Sequence, residues 1–282
     1  MNISRKLAKL PKLSHLILHI SLILLGIIWI YPFVWMVSGS LKNNTSFFTS
    51  GINPLPETFH WENYTRAWEV GNFSGYFMNS VIITISTVVI VVVLSCITGY
   101  ALGTVNFPGK KALIFGVVAL QFIPDGYTII PLYQFVNFLG LNNSLFGVIF
   151  ALSSGAHILF ILLFSAFFSK VPKELGEAAE IDGCGFVKTF LKVYLPTAKP
   201  VIASASIMQF IWTWSAFLTP LVLTINKPEL RTLSVGMLSF TELYGTDWTG
   251  MTAGATISLI PVMLVFIFMQ RYFYEGISGA VK

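Results

Sequence analysis

Six windows of about 20 mostly apolar residues punctuate this chain, and no other feature limits its possible folds so tightly. At about 1.5 Å of rise per residue, one such window crosses the roughly 30 Å hydrocarbon of a bilayer as a single helix. The windows run from Leu16 to Val37, Tyr76 to Leu102, Ala112 to Tyr133, Leu145 to Phe168, Pro200 to Leu223 and Met251 to Tyr272. Composition agrees: 55% of the 282 residues are hydrophobic and 10% are charged, where a soluble domain carries about a quarter charged residues. One core cannot hide that apolar excess, so lipid must act as its solvent. The expected fold class is an all-α integral membrane protein with six transmembrane helices. A net charge of +5 would suggest a nucleic-acid partner in a soluble protein, but here its placement matters more than its sign, and no nucleic acid is implied. The first window follows a basic segment, as a signal peptide would. Its apolar run is too long for one, and no small-x-small cleavage site follows, so it reads as a retained helix. Cys96 lies in an apolar window and Cys184 in a polar loop, so no disulfide is expected between them.

Lysine and arginine asymmetry sets the expected orientation. With the N-terminus inside, 13 of the 17 basic residues fall on inner segments beside five acids, an excess of +8. The outer segments hold Lys42, Arg66, Lys227 and Arg231 against six acids, an excess of −2, and Asp125 lies at membrane depth. Both termini are therefore expected in the cytoplasm, with an N-terminal segment 1–15, a membrane domain 16–272 and a tail 273–282. The long outer segments Ser38 to Gly75 and Thr224 to Gly250 carry Pro54, Pro56, Trp61, Trp68 and Trp248, and read as ordered caps able to meet an external partner.

The inner loop Ser169 to Lys199 is longer than a connector needs. Pro172 suits a first helical turn, and Glu174 and Glu177 complement the positive end of the helix dipole. Lys173 and Glu177 are spaced as an i,i+4 pair. A helix from about Pro172 to Ile181 should end at Gly183, Cys184 and Gly185, because glycine accepts the positive φ of a C-cap. Phe186, Phe190 and Val193 then recur at helical spacing until Pro196 stops the run. Small Ala178 and Ala179, flanked by Glu177, Glu180 and Asp182, would let another protein approach the backbone closely. The bland alternative is a solvated amphipathic connector.

Glu177-Ala178-Ala179, then Asp182-Gly183, Leu195-Pro196 and Pro200, resembles the EAA loop of the inner-membrane permease subunits of binding-protein-dependent ABC importers. Further along, Trp61-Glu62-Asn63-Tyr64, Tyr76-Phe77-Met78-Asn79-Ser80, Gly99-Tyr100-Ala101-Leu102, Leu139-Gly140-Leu141-Asn142-Asn143-Ser144 and the end Gly279-Ala280-Val281-Lys282 are similar to the carbohydrate-uptake branch of the maltose type. The resemblance covers roughly residues 55 to 282 and implies the type I ABC importer (MetI-like) architecture in a bacterial inner membrane. It also implies a non-catalytic subunit with no cofactor of its own, paired with a second permease as a heterodimer. Two cytoplasmic subunits would bind ATP and Mg, and an extracytoplasmic sugar-binding protein would deliver the cargo. Carried over residue by residue, Glu177, Ala178, Ala179, Asp182 and Gly183 become the ATPase-coupling positions.

Where the family commonly places Trp-Asn in the fifth span, this chain reads Trp214-Ser215 and loses an amide. Ser215 either alters selectivity or simply bonds its i−4 carbonyl. Ser206, Gln209 and Thr213 fall at i, i+3 and i+7 and put a polar stripe on the same span, facing either a translocation path or another helix. Asp125, between Pro124 and Gly126, reads as part of a structural mouth or a substrate or gating contact. His15 and His19 share a helical face but have no third ligand nearby, and read as interfacial anchors. Ser154 with His157 would suggest an intramembrane hydrolase only if the two came together. The run from Gly183 to Thr189 lacks the glycine spacing and preceding strand of a phosphate loop, so no nucleotide site is expected. Gly99-x-x-x-Gly103 and Gly250-x-x-x-Gly254 would permit close helix approach. A self-sufficient secondary transporter, the other class weighed, should show inverted repeats and intramembrane ion ligands, and no such repeat is evident.

Overall fold

The computed structural model describes residues 12–70, 72–155, 157–242 and 245–280, with side chains described for these except 12–14, 70, 125, 155, 157, 242 and 271–280. Among the described residues the regular structure is helical apart from a hairpin of two-residue strands, in which β1 (Thr241–Glu242) pairs antiparallel with β2 (Gly245–Thr246). The chain divides into two compact units.

The first unit, 1–71 with 239–257, contains α1 (Lys12–Gly39), α2 (Asn44–Thr49), α3 (Glu62–Val70) and the beginning of the last helix. α1 tolerates Pro32 in its interior. Asn43 caps α2 by accepting from Ser46 N at 2.7 Å, while the Ser46 hydroxyl accepts from Asn43 N at 3.2 Å, so two otherwise orphaned amides are satisfied reciprocally. Phe47 packs between Trp35 at 4.9 Å and Trp248 at 6.4 Å between ring centroids. Buried Asn63 donates to the Ser40 and Lys42 carbonyls at 2.8 Å each. Arg66 grips Asp247 through two nitrogens at 2.8 and 3.1 Å, and Asp247 in turn accepts from Gly250 N at 2.9 Å. That carboxylate both holds α3 and caps the last helix at its positive end.

The second unit is built around the helix α4 (Phe73–Thr104). It is followed by α5 (Lys110–Leu120), α6 (Asp125–Phe138), α7 (Leu145–Gly155), α8 (His157–Phe168), α9 (Lys173–Ile181), α10 (Phe186–Thr189), α11 (Leu195–Thr197), α12 (Lys199–Trp214), α13 (Leu218–Leu223) and α14 (Leu233–Gly236). The last helix, α15 (Trp248–Ala280), begins in the first unit's sequence and ends in the second's. One core joins Val91, Cys96 and Tyr100 of α4 to Phe160, Phe164 and Phe168 of α8 and to Val201 and Ala205 of α12; another gathers Ile83, Val136, Val148 and Leu223. The Gly99/Gly103 pair does allow close approach: a Cβ at Gly99 would run into the Phe164 Cβ, and one at Gly103 would lie 2.9 Å from the Phe168 Cβ.

Among the described residues, three helices are long and apolar enough to cross a membrane: His15–Gly39, Phe73–Thr104 and Trp248–Gln270. Leu145–Ser154 with Ile158–Phe168 makes a fourth crossing if a pair bent by 53° is one span. This count does not by itself confirm the expected six spans, because windows three and five are broken. α5 ends at Leu120, four residues before Pro124, whose ring would clash with the Leu120 carbonyl and whose missing N–H could not bond it. α12 ends at Trp214, and Pro220 enforces the same conflict with Ala216.

Candidate functional site

The 169–199 loop folds largely as its sequence suggests. α9 runs from Lys173 to Ile181 with Pro172 at its N-cap. Gly183 takes a φ of +77°, and the helix closes with Cys184 N bonded to Ala179 O at 2.8 Å and Gly183 N to Glu180 O at 3.0 Å. This pair of bonds is a Schellman closure, which fixes the exit direction of the chain and requires the left-handed residue. Two expectations fail. Lys173 and Glu177, both exposed, form no ion pair; the ion pairs found among the described residues are His60–Glu62 and Arg66–Asp247. Nor does Pro196 stop the second helix. The chain winds through a π-turn, Phe190–Tyr194, and continues through Pro196 to Thr197. The wider turn removes the need for an N–H at 196 to reach the Lys192 carbonyl.

The faces of α9 are distinct. Glu177, Ala178, Asp182 and Gly183 are exposed, but Ala179 is buried, and Gly176 packs so that a Cβ there would sit 3.0 Å from the Tyr194 hydroxyl. The two alanines thus face opposite ways: Ala179 seats the helix on its own chain, and Ala178 presents backbone outward. Two exposed apolar side chains escaped the sequence reading, Leu175 and Ile181, the latter 86% exposed. Their spacing with Ala178, i, i+3 and i+6, was the available signal.

Under the loop lies an aromatic cluster. Tyr100, in the last turns of α4, has Phe168, Phe186, Phe190 and Tyr194 at ring-centroid distances of 5.7, 4.8, 4.9 and 5.0 Å. Burial, and then the Glu180 carboxylate, push the Tyr194 phenol above its ordinary pKa, so it stays a neutral packing group. A cavity of about 500 Å³ opens beside the cluster, between Thr104, Lys110, Glu177 and Glu180.

The polar stripe is mostly enclosed by its own chain. Gln209 and Thr213 are buried and joined by a 2.9 Å bond from Nε2 to Oγ1, while Ser206 is half-buried. Trp214 is buried, donates from Nε1 to Ser258 O at 3.0 Å and stacks on Phe210. Exposed Ser215 bonds the Ile211 carbonyl, the plain alternative weighed for it. Asp125 begins α6, and its side chain lies outside the described residues, as does that of His157. Ser154 donates to Ala151 O at 2.7 Å, and His19 Nδ1 lies 2.6 Å from His15 O. The structure therefore gathers Glu177, Ala178, Ala179, Asp182 and Gly183 on one short loop, with the buried Gln209–Thr213 pair a separate feature of α12.

Long apolar helices, two broken ones and an exposed short helix on a polar loop are the marks of a polytopic membrane protein. The family model for the binding-protein-dependent transport system inner membrane component matches residues 70–279. The chain belongs to that family, whose members are permease subunits. It is 35% identical to the probable ABC transporter permease protein YurM of Bacillus subtilis, over 89% of this chain and 83% of that one. It is 32% identical to the diacetylchitobiose uptake system permease protein NgcG of Streptomyces coelicolor, over 94% and 86% of the two chains. Its fold matches a chain in the crystal structure of a bacterial ABC transporter involved in import of the acidic polysaccharide alginate, with a TM-score of 0.80 at 23% identity, covering 94% of this chain and 99% of that one.

Proposed function

We propose that this chain is one of two permease subunits of an ATP-driven importer of sugars or short oligosaccharides. ATP and Mg belong to two separate cytoplasmic subunits, and an extracytoplasmic binding protein brings the cargo. The carbohydrate assignment is supported by relatives such as the diacetylchitobiose permease. Counting each broken pair as one crossing gives six, with both termini and the 169–199 loop in the cytoplasm, in keeping with the lysine and arginine excess on that side.

The observation that carries the reading is α9: a helix seated by Gly176 and Ala179, closed rigidly at Gly183, and presenting Leu175, Ala178 and Ile181 outward. Such an element transmits a displacement of its docking partner to α8 and α12, which the loop joins. Glu177, Ala178, Ala179, Asp182 and Gly183 are its coupling residues, with Ala179 acting from the inner face. Ser206, Gln209, Thr213, Trp214, Ser215 and Asp125 remain candidates for the translocation path, reached only if the packing around α12 opens during transport.

The test is to purify the complex and ask whether an ATPase copurifies and whether loaded binding protein stimulates it. Gly183→Pro and Glu177→Lys should each lower stimulated transport about 5- to 150-fold, the range of ordinary coupling energies, while the protein still reaches the membrane. Undiminished transport and stimulation in both variants, or uptake by this chain alone without ATP, would overturn the proposal.

A further inference from the structure

After α1 and α2 the chain runs through Ser50 to Leu55 without regular structure, and this stretch has properties that an aqueous loop does not need. Residues 43–56 contain no Asp, Glu, Lys or Arg. Ile52 is 80% exposed and Leu55 72%. The segment also lies along α1 rather than beyond its end: Tyr31, in the candidate span His15–Gly39, donates its hydroxyl to Ile52 O at 2.6 Å. Tyr31 precedes the end of that candidate span by roughly 12 Å of axis, so a bilayer crossed by 15–39 would have its hydrocarbon alongside Ile52.

Irregular backbone at that depth is tolerated only where its polar groups find partners in the protein. α1 and the turn after it supply them from one stripe, at 31, 35, 38 and 42. Besides Tyr31, Trp35 Nε1 donates to Gly51 O at 3.5 Å and the Ser38 hydroxyl bonds Pro54 O. Lys42, 1% exposed, donates to Asn53 O and Ser50 Oγ at 2.7 Å each. Four successive carbonyls, 51 to 54, are thus covered while the side chains of Ile52 and Leu55 point away from protein.

We propose that Ser50 to Leu55 is a re-entrant anchor inserted into the lipid leaflet at that end of α1, with Ile52 and Leu55 in contact with acyl chains. The occupant is lipid because the exposed face continues that of α1, whose Ile23, Ile27, Ile28 and Ile30 are also exposed. Such an anchor would hold whatever the cargo and whatever the 169–199 loop contacts.

The assembled complex in nanodiscs, with Cys96→Ser and Cys184→Ser and transport retained, tests it. Ile52→Cys and Leu55→Cys are each labelled with a polarity-sensitive fluorophore, and Glu57→Cys, on an exposed neighbour, is the aqueous control. Both anchor positions should emit at shorter wavelength than the control, be quenched by lipids brominated on their acyl chains, and react with a water-soluble maleimide about tenfold more slowly, equivalent to about 1.4 kcal/mol. Emission and reaction rates matching the Glu57→Cys control would overturn the proposal. So would blue-shifted emission without quenching by brominated lipid, which would show that another protein chain covers the segment.

Discussion

Single residues fix where the helices of this permease can touch. At Gly99 and Gly103 the missing Cβ atoms are what bring α4 against α8, so Gly99→Val should lower thermal stability of the solubilised complex by about 1–3 kcal/mol, the cost of overpacking. Gly116 in α5 is the control, because nothing lies within 4 Å of a Cβ there. Gly116→Ala should be neutral or stabilise by up to about 1 kcal/mol through the unfolded chain. Differential scanning fluorimetry of both variants separates a contact requirement from a general dislike of change. The Gly-x-x-x-Gly spacing was legible in the sequence, but the partner helix was not, since a small residue marks a close approach without saying to what. Electrostatics is just as local. His60, bonded at 2.6 Å, holds the Glu62 carboxyl below its ordinary value. A carboxylate so depressed stabilises the fold above its unfolded value, 4.5, and loses that contribution as pH falls through the folded one. Any stability difference between the native protein and Glu62→Gln should therefore shrink steadily below pH 4.5, as read from melting temperature against pH.

At the scale of elements, hydropathy located the apolar windows and composition located the loop, but neither revealed where helices break. Helices end four residues before Pro124 and six before Pro220, whereas Pro32, Pro131 and Pro261 are carried inside helices, so a proline's presence alone did not decide the outcome. Pro196 is a third case, accommodated by a π-turn that no local periodicity announces. The proposed coupling helix, α9, was more readable, because its signals are short-range: an N-cap proline, a left-handed glycine and small residues three or four apart. What pattern alone could not assign was the facing of each alanine. The structure makes that distinction testable. Ala178→Leu, on the exposed face, should leave the melting temperature unchanged while weakening ATPase stimulation. Ala179→Leu, on the buried face, should destabilise the loop by about 1–3 kcal/mol and affect stimulation only as a consequence. Identical effects on melting and stimulation in the two variants would dissolve the proposed division of faces.

For the whole molecule the informative quantity is the distribution of a small number of charges. A chain with 29 charged residues among 282 places nine of them in the 31 residues from Ser169 to Lys199. The same loop carries the exposed helix, so in the proposed topology one stretch would both bias insertion and offer the contact for a soluble partner. The opposite segments are not simply poor in charge, since Arg66 and Asp247 spend theirs on each other and Lys42 is sealed against the Asn53 carbonyl and the Ser50 hydroxyl. Two of the four basic residues on the proposed outer side thus fold as a paired or an enclosed group. The orientation proposed from the asymmetry has a direct check in vesicles of known sidedness. In the background lacking Cys96 and Cys184, Lys188→Cys and Glu229→Cys, both at exposed positions on opposite sides of the proposed topology, are treated with a membrane-impermeant maleimide. Lys188→Cys should react only in inside-out vesicles and Glu229→Cys only in right-side-out ones. The reverse pattern would invert the topology and put α9 out of reach of any cytoplasmic ATPase, so the orientation and the coupling role stand or fall on the same pair of reactions.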